Sequence, residues 1–387
     1  MDDSSKKKVP ELRFSGFTDD WEERKFKDIL KTHSFRSYLA DVSNNGEYEI
    51  IQQGDNPIVG YSDGKPFTNY KDVTLFGDHT VSLYKPHSPF FVATDGIKIL
   101  SADNFDGDYL YTTLERYKPS SQGYKRHFTI LKNHDVWFTG NIEEQQKIGL
   151  FFSQLDNTIA LHQRKLDLLK GQKKGFLQKM FPKNGEKVPE LRFEGFTDAW
   201  EQRKLGESCR IGDIDHRMPK SVTEGVPYLM TGDFIGENKL NFENTKLVSI
   251  EDYDQLSKKI KPEYGDILFA RYASVGAVRY VDIQRKFLIS YSCAIMKPNI
   301  DIKGLFLYQL LQTDFMKRKI EFEINPNSQK NIGIDSLKKL KISIPIIEEQ
   351  EKIGKFFKDL DNTIALHQLK LDLLKEQKKG FLQKMFA

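Results

Sequence analysis

The side chains best suited to molecular recognition lie in Gly- and Ser-containing stretches between hydrophobic runs. Arg and Lys donate hydrogen bonds to guanine O6 and N7, and Asn or Gln pairs with adenine through two hydrogen bonds. Taken singly, each such residue is better explained by a surface or structural role, and it is their concentration in polar loops that favours base contacts. The candidates for base contact are Gln52, Gln53, Lys65, Tyr124, Lys125, Arg126, His127, Arg217, Lys220, Arg271, Tyr272, Ser328, Gln329, Lys330 and Asn331.

Motifs for catalysis are incomplete throughout the chain. Asp55-Asn56-Pro57-Ile58 is close to the Asn-Pro-Pro-aromatic motif of amino-methyltransferases, but it lacks the second proline and the aromatic residue, and Asn325-Pro326-Asn327-Ser328 fails in the same way. The stretch 60–65 has the wrong spacing for a P-loop. Asp78-His79 has no nucleophile nearby. We therefore expect no catalytic residue, no metal site and no cofactor bound by this chain.

Composition limits the class of protein. The chain has 387 residues, of which 39% are hydrophobic, 29% charged and 12% aromatic. At about 150 residues per domain, this length predicts two or three globular domains. No apolar run reaches the length of about 18 residues that spans a membrane, and residues 1–8 do not resemble a secretory signal. Cys209 and Cys293 suit a reducing compartment, so we expect a cytoplasmic protein.

Two segments of the chain occur twice. Residues 9–26 return as 188–205 with 14 of 18 positions identical, and residues 142–181 return as 347–386 with 34 of 40 identical. Between them lie two inserts, 27–141 and 206–346, that have no evident similarity to each other. The order is therefore arm, insert, helical block, repeated once, and we call the repeated arms and helical blocks the frame. A repeated frame with different inserts indicates a generic scaffold that carries two specialised regions.

The helical blocks have apolar residues at alternating steps of four and three, which is the seam of a coiled coil. Two equivalent stripes in two repeated halves predict an antiparallel pair. We interpret the seam histidines as polar residues that fix register, the alternative being a proton site or ligand pair. The predicted seam comprises Ile148, Phe152, Leu155, Ile159, His162, Leu166, Leu169, Ile353, Phe357, Leu360, Ile364, His367, Leu371 and Leu374.

The net positive charge of the chain lies in the two helical blocks. Net charge is +4, from 59 basic and 55 acidic residues. Residues 142–181 hold 7 basic and 4 acidic residues, which gives +3, and residues 347–387 hold 8 basic and 7 acidic residues, which gives +1. The charges of the rest of the chain therefore sum to zero. A neutral insert binds phosphates weakly, which favours a partner that adds affinity. The Lys-Lys pairs 173–174 and 378–379 are interpreted as a solvated face, with contact to DNA phosphates or a partner subunit as the alternative.

Both inserts have the patterns of mixed α/β regions. In the first, strands are predicted at 48–51, 80–84, 90–92 and 97–100. In the second, strands are predicted at 266–270, 287–290 and 338–344, and a helix at 305–317.

The frame resembles the specificity subunit of type I restriction-modification systems over the whole length of the chain. The resemblance is carried by Val-Pro-Glu-Leu-Arg-Phe with Trp-Glu-x-Arg-Lys from 9 and 188, and by Ile-Glu-Glu-Gln-x-Lys-Ile-Gly from 142 and 347. It is also carried by Leu-Asp-Asn-Thr-Ile-Ala-Leu-His-Gln from 155 and 360 and by Lys-Gly-Phe-Leu-Gln-Lys-Met-Phe from 174 and 379. Within the inserts, Thr-Leu-Phe-Gly-Asp-His-Thr from 74 and Gly-Asp-Ile-Leu from 265, followed by Arg271, look similar. One departure is that Pro345 precedes the second block where Gly140-Asn141 precedes the first.

This resemblance implies an α/β fold with two mixed α/β target recognition domains, separated by two long helices in an antiparallel coiled coil with a pseudo-twofold repeat. The implied boundaries are 1–141 and 182–346 for the recognition domains, with 142–181 and 347–387 for the spacer helices. Each domain is expected to recognise one half of a bipartite site in double-stranded DNA. The helices are expected to set the gap and to dock two methyltransferase subunits, alongside restriction/translocase subunits.

Catalysis is implied to belong to the partner subunits, which would hold S-adenosylmethionine, ATP and Mg. Two other interpretations stay open at this point. One is a self-sufficient adenine methyltransferase, which S-adenosylmethionine binding by the purified chain would reveal. The other is a coiled-coil scaffold or dimeric regulator without a methylase partner, which neighbouring genes for a methylase and a translocase would exclude.

Overall fold

The computed structural model describes residues 9–123, 125–183, 186–325 and 330–387. The chain divides into two compact units, the first comprising Met1–Arg164 and Gln368–Ala387 and the second Lys165–His367. Both divisions fall inside the repeated helical blocks, so each unit contains one insert together with a portion of each block. Within the described residues, no helix combines the length and the apolar character needed to cross a membrane.

The first unit is built around a four-stranded and a three-stranded sheet. Its strands are β1 (Glu22–Lys25), β2 (Leu30–His33), β3 (Tyr48–Ile51), β4 (Ile58–Ser62), β5 (Thr74–Gly77), β6 (Leu83–Tyr84), β7 (Phe90–Val92), β8 (Ile97–Ala102) and β9 (Asp135–Phe138). Its helices are α1 (Phe26–Ile29), α2 (Gly107–Tyr117), α3 (His127–Asn133) and the start of α4 (Ile142–Lys179). The sheet orders are β2-β8-β5-β6 and β4-β3-β7, and β1 pairs with β9.

The second unit repeats this plan with additions. Its strands are β10 (Glu201–Lys204), β11 (Cys209–Gly212), β12 (Val226–Leu229), β13 (Phe234–Ile235), β14 (Lys239–Leu240), β15 (Lys246–Val248), β16 (Ile267–Ala270), β17 (Val278–Tyr280), β18 (Leu288–Ile289), β19 (Cys293–Pro298) and β20 (Lys341–Ile344). Its helices are α5 (Leu205–Ser208), α6 (Ile250–Leu256), α7 (Gly304–Gln312), α8 (Asp314–Phe322), α9 (Ile334–Lys339) and the start of α10 (Ile347–Lys384).

The two inserts share one topology in spite of their different sequences. The second unit has sheets β11-β19-β16-β17 and β15-β12-β18, with β10 paired to β20. In each unit the three-stranded sheet has one parallel pair, β3 with β7 and β12 with β18. The hairpin β13-β14 and the helices α6 and α8 are the additions, and they account for the greater length of the second insert.

Some local predictions are wrong in extent. The predicted strand 80–84 reduces to β6, because Val81 adopts a positive φ of 59° that interrupts the extended backbone. The predicted helix 305–317 is two helices, because Thr313 turns out of helical geometry and its hydroxyl accepts from Met316 N to cap α8. The predicted strand 338–344 begins only at Lys341, since Lys338 and Lys339 end α9. The predicted strand 287–290 contains the two-residue strand β18.

The long helices confirm the predicted fold class. In the first unit, the rings of Phe151 on α4 and Phe381 on α10 lie 5.1 Å apart. In the second unit, Phe176 and Phe356 are likewise 5.1 Å apart. In the first unit, Asp156 follows Phe151 on α4 and pairs with Lys378, which precedes Phe381 on α10. In the second unit, Lys173 precedes Phe176 on α4 and pairs with Asp361, which follows Phe356 on α10. Within each unit the helix segments therefore pack antiparallel.

The predicted seam residues are all buried or half-buried. Lys173 and Lys378 correct the prediction of a solvated lysine face, because they are only 6% and 8% exposed. Their position explains this, since each continues the four-and-three spacing one step beyond Leu169 or Leu374. Their neighbours Lys174 and Lys379 are exposed. The seam residues are Ile148, Phe152, Leu166, Leu169, Ile353, Phe357, Ile364, Leu371 and Leu374, which are buried, and Leu155, Ile159, His162, Leu360 and His367, which are half-buried.

The repeated arms hold the ends of the long helices. In the first unit, Leu12 N donates to Lys384 O at 2.7 Å, and Trp21 packs edge-on against Phe386. In the second unit, Leu191 N donates to Lys179 O at 2.8 Å, and Trp200 packs edge-on against Phe181. Because the last carbonyls of a helix have no partner within it, the arm supplies the missing donor and covers the aromatic end.

The Glu-Glu-Gln motif connects the start of each long helix to the arm and to the insert. In the first unit, buried Glu144 accepts two hydrogen bonds from Arg13, at 2.6 and 2.9 Å. The adjacent Gln145 accepts from Asp106 N and donates to Asn104 O and Thr139 O. In the second unit, Glu349 and Gln350 repeat these contacts with Arg192, Asp301, Lys303 and Pro345. The motif therefore satisfies backbone groups that the inserts leave open.

The start of α4 also carries a glycine where the insert helix α2 approaches closely. A Cβ added to Gly149 would lie 2.7 Å from Tyr109 N, whereas one added to Gly171 of the same helix meets nothing within 4 Å. We expect Gly149→Ala to lower the free energy of unfolding by about 1–3 kcal/mol. Gly171→Ala should raise it by up to about 1 kcal/mol, because alanine favours helix. Denaturant unfolding measures both, and equal effects of the two substitutions would disprove the close approach.

Candidate nucleic-acid interface

Four loops of the first unit meet at one end of its sheets. The backbone joins them through Ala93 N to Ile51 O, Asp78 N to Gly96 O and His127 N to Asp78 O, each 2.8 Å long. These bonds connect the stretches 52–57, 78–82, 93–96 and 122–127 without residue 124, which we call the first loop cluster. Five of the base-contact candidates fall in this cluster: Gln52, Gln53, Lys125, Arg126 and His127.

The second unit brings the equivalent loops together by equivalent bonds. Ser290 N donates to Leu229 O at 2.8 Å, Arg271 N to Ser292 O at 2.9 Å and Ile332 N to Arg271 O at 3.2 Å. The stretches 230–233, 271–276, 290–292 and 330–332 form the second loop cluster. Each of these three hydrogen bonds lies beside a strand or helix that is equivalent to the one beside its counterpart in the first unit. The fold therefore presents the same set of loops twice, with different side chains.

In the first loop cluster, Lys125 and Arg126 are exposed, and their contact with bases remains a prediction. Gln53 Oε1 accepts from His79 N at 3.0 Å, and Gln52 Nε2 donates to Asn56 O at 3.1 Å, so both amides also support the loops. Lys65 is exposed but lies outside the cluster. Tyr124 lies outside the described residues.

His127 is corrected from a base contact to a structural residue. It is fully buried. Its Nε2 accepts from Gln122 N at 3.0 Å, so its Nδ1 carries the proton and donates to Asp78 O at 3.0 Å. Phe128 N donates to Asp78 Oδ1 at 2.8 Å. Both ring nitrogens are therefore used in joining two loops, and neither can reach a base.

Arg271 requires the same correction in the second loop cluster. It is 6% exposed. Its NH1 pairs with Asp213 Oδ2 at 2.5 Å, and its Nε donates to Ile332 O at 3.0 Å. Burial works against the charge of Asp213, but hydrogen bonds from His216 and Lys259 and the charge of Arg271 outweigh it and lower the pKa of Asp213. Arg271 and Asp213 therefore form a buried ion pair that stabilises the loops of the second cluster.

The other described candidates of the second unit have side chains that are exposed or half-buried, or a backbone contact within the cluster. Tyr272 is half-buried and bridges through its backbone to Asn331, while Lys330 is exposed. Arg217 is exposed and pairs with Asp252 at 2.8 Å. Lys220 is exposed on the same stretch as Arg217. Ser328 and Gln329 lie outside the described residues.

Met230, which is not among the predicted base contacts, follows β12 where Gln52 follows β3. Its side chain is 43% exposed, although methionine usually fills apolar interiors. Its place directly after an apolar run is the one signal that could have marked it. The structure also places two non-glycine residues with positive φ in equivalent loops, Val81 at 59° and Ala273 at 56°. Such strained backbone collects at functional loops.

Removing the buried Arg271 side chain tests its assigned role. We expect Arg271→Leu to destabilise the second unit by about 3 kcal/mol, because it leaves the buried Asp213 carboxylate without its closest partner and Ile332 O without its donor. Arg217→Leu is the control, since Arg217 is half exposed and its loss should cost less than about 1 kcal/mol. Thermal unfolding of both variants checks this. Equal losses would show that Arg271 is no more than a surface cation.

Comparison with known proteins places the chain in a family. The model of the type I restriction modification DNA specificity domain matches residues 18–170 and 197–376. The two matches cover both inserts and most of both helical blocks. The chain belongs to this family, as its repeated motifs predicted.

Two relatives come from Methanocaldococcus jannaschii. The putative type I restriction enzyme MjaX specificity subunit is 26% identical over 253 residues, which cover 62% of this chain and 56% of that protein. The type I restriction enzyme MjaVIII specificity subunit is 23% identical over 251 residues, which cover 62% of this chain and 59% of that protein. The matched stretch thus spans little more than half of each relative.

A solved structure supports the fold. The crystal structure of a type I restriction-modification system S subunit from M. genitalium superposes with a TM-score of 0.69. It covers 98% of this chain and 99% of its own at 17% identity.

Proposed function

We propose that the chain is the sequence-specific DNA-binding specificity subunit of a type I restriction-modification complex. The observation that carries this proposal is that two inserts of unlike sequence present the same loop cluster on a duplicated frame. A repeated geometry with different polar side chains suits two separate half-sites better than one symmetric site. Membership of the DNA specificity domain family supports DNA as the ligand.

Sequence discrimination is assigned to the exposed and half-buried members of the loop clusters. Lys125, Arg126 and Lys330 offer cations to phosphates or guanine, and Gln52 offers an amide to adenine. Met230 offers a thioether of the kind that packs against a thymine methyl group. Buried Arg271 and His127 hold these loops in place, so the loops meet DNA already ordered. Ordering before binding reduces the entropy lost on association.

Catalysis is assigned to other subunits. We propose that methyltransferase subunits, two per chain, dock on the long helices, and that restriction/translocase subunits join them. S-adenosylmethionine, ATP and Mg would be held by those partners. The net charge supports a need for partners, because outside the helical blocks the chain is neutral and non-specific DNA affinity comes from phosphate neutralisation. The complex would work in the cytoplasm beside the DNA that it recognises.

Exchange of an insert tests the division of specificity. Replacing residues 27–141 with the insert of another family member should change one half-site and leave the other and the gap unchanged. The physical reason is that the first loop cluster lies wholly within the exchanged residues. Methylome sequencing of cells that express the chimera with the methyltransferase gives the new site. A change in both half-sites would refute the modular assignment.

Alanine substitution tests the DNA contacts. Lys125→Ala with Arg126→Ala should weaken binding of the complex to its site. It should also reduce the slope of log affinity against log salt by up to about 2, since each phosphate contact contributes about 0.9. Lys27→Ala with Lys71→Ala is the matched control, because these exposed lysines precede β2 and β5, at the end of the sheet away from the loops. If both pairs change the slope equally, the cluster is not the DNA interface.

A further inference from the structure

A buried lysine in the first unit joins three segments of the chain. Lys378 of α10 places its Nζ 2.6 Å from Asp156 Oδ1 on α4 and 2.6 Å from Glu115 Oε1 on α2. Lys378 is only 8% exposed, so water screens its ion pairs with Asp156 and Glu115 little. Two of the three groups belong to the long helices, and the third belongs to the insert.

The second unit contains the same arrangement. Lys173 of α4 lies 2.7 Å from Asp361 Oδ1 on α10 and 2.9 Å from Glu237 Oε2 in the insert. Lys173 and Lys378 are equivalent in the repeat, as are Asp156 and Asp361, since each pair is separated by the same 205 positions. The lysine and the aspartate are therefore part of the duplicated frame.

The glutamates, in contrast, come from unrelated places. Glu115 lies near the end of helix α2, whereas Glu237 lies in the turn between β13 and β14, a hairpin that the first insert lacks among its described residues. No repeated sequence connects them. Two inserts of different sequence have thus brought a carboxylate to the same atom of the frame from different secondary structure. Such convergence indicates a requirement that the frame imposes on whatever insert it carries.

The charges explain the requirement. Lysine and aspartate alone neutralise each other, so the helices do not need the glutamate for charge balance. The ammonium group still has donors to satisfy, and hydrogen bonds between ionised groups are short and directional. A carboxylate from the insert can fill that place only when the insert sits in one orientation on the helices. This contact adds to the apolar packing a charged link from one insert group to both long helices.

We propose that Lys173 and Lys378 are positioning residues that fix the orientation of each insert on its helix segments, and that an insert suits this frame only if it brings a carboxylate to the lysine. The inference rests on the proposed function, because orientation matters here for placing the loop clusters on DNA. An insert free to tilt would let its half-site be recognised at more than one distance from the other.

Glu115→Gln is the sharpest test, because it leaves the Lys378–Asp156 pair intact and removes only the charge from the insert. The variant is expressed with its methyltransferase, and methylome sequencing counts modified sites by gap length. We expect the half-sites to stay the same and the fraction of modified sites whose gap differs by one base pair to rise about tenfold, the ratio expected for loss of one charged hydrogen bond. Glu237→Gln should act likewise through the second half-site.

Control variants separate positioning from general destabilisation. Glu376→Gln removes an exposed carboxylate from α10, and Lys379→Met removes the exposed neighbour of Lys378, so both should keep the wild-type gap. Lys378→Met is the second test variant and should relax the gap further than Glu115→Gln. A uniform loss of methylation with no new gap length would show a purely structural role and overturn the inference, as would wild-type behaviour of Glu115→Gln. If the unaltered chain directs no sequence-specific methylation, the proposed function itself fails.

Discussion

Each unit depends on an antiparallel contact between the start of one long helix and the end of the other. Burying the apolar seam away from water is favourable, and each helix portion covers apolar residues of the other. The arms, the insert helices α2 and α7 and the aromatic residues at the helix ends all pack around this contact. Because Phe381 and Phe386 come from the far end of the chain, the first unit is complete only when its last residues have returned to it.

The Glu-Glu-Gln motif shows how a generic frame carries two different inserts. Glu144 and Glu349 bind an arm arginine with two hydrogen bonds each, and Gln145 and Gln350 bind backbone atoms of the insert. Backbone groups are present whatever the insert sequence is, so the glutamine can hold unlike inserts in the same way. The glycines that follow in α4 and α10 leave space for the backbone of the insert helix. At this motif, the contact of the insert with the frame therefore rests on main-chain geometry, which leaves the loop side chains free to differ.

Charge inside the molecule has two distinct uses. Arg271 with Asp213 supports loops from beneath, within one insert. Lys173 and Lys378 connect an insert to the frame. Buried ion pairs contribute little net stability compared with apolar residues of the same size, but they demand defined geometry. That geometric demand fits the proposed role of these charged groups, which is to hold the loops and the inserts in position.

The sequence by itself determined the frame, the family and the long helices, because repeats and a period of 3.5 residues are local patterns that survive without tertiary context. It also predicted polar contacts in loops that the fold brings together, around Gln52, Lys125 and Tyr272. It could not separate exposed from buried side chains: His127 contacts Asp78, 49 positions away, and Arg271 contacts Asp213, 58 positions away. The tertiary structure alone decided which carboxylates Lys173 and Lys378 meet and that two unlike inserts share one topology. Burial and partnership depend on residues distant in sequence, whereas helix periodicity depends on neighbours.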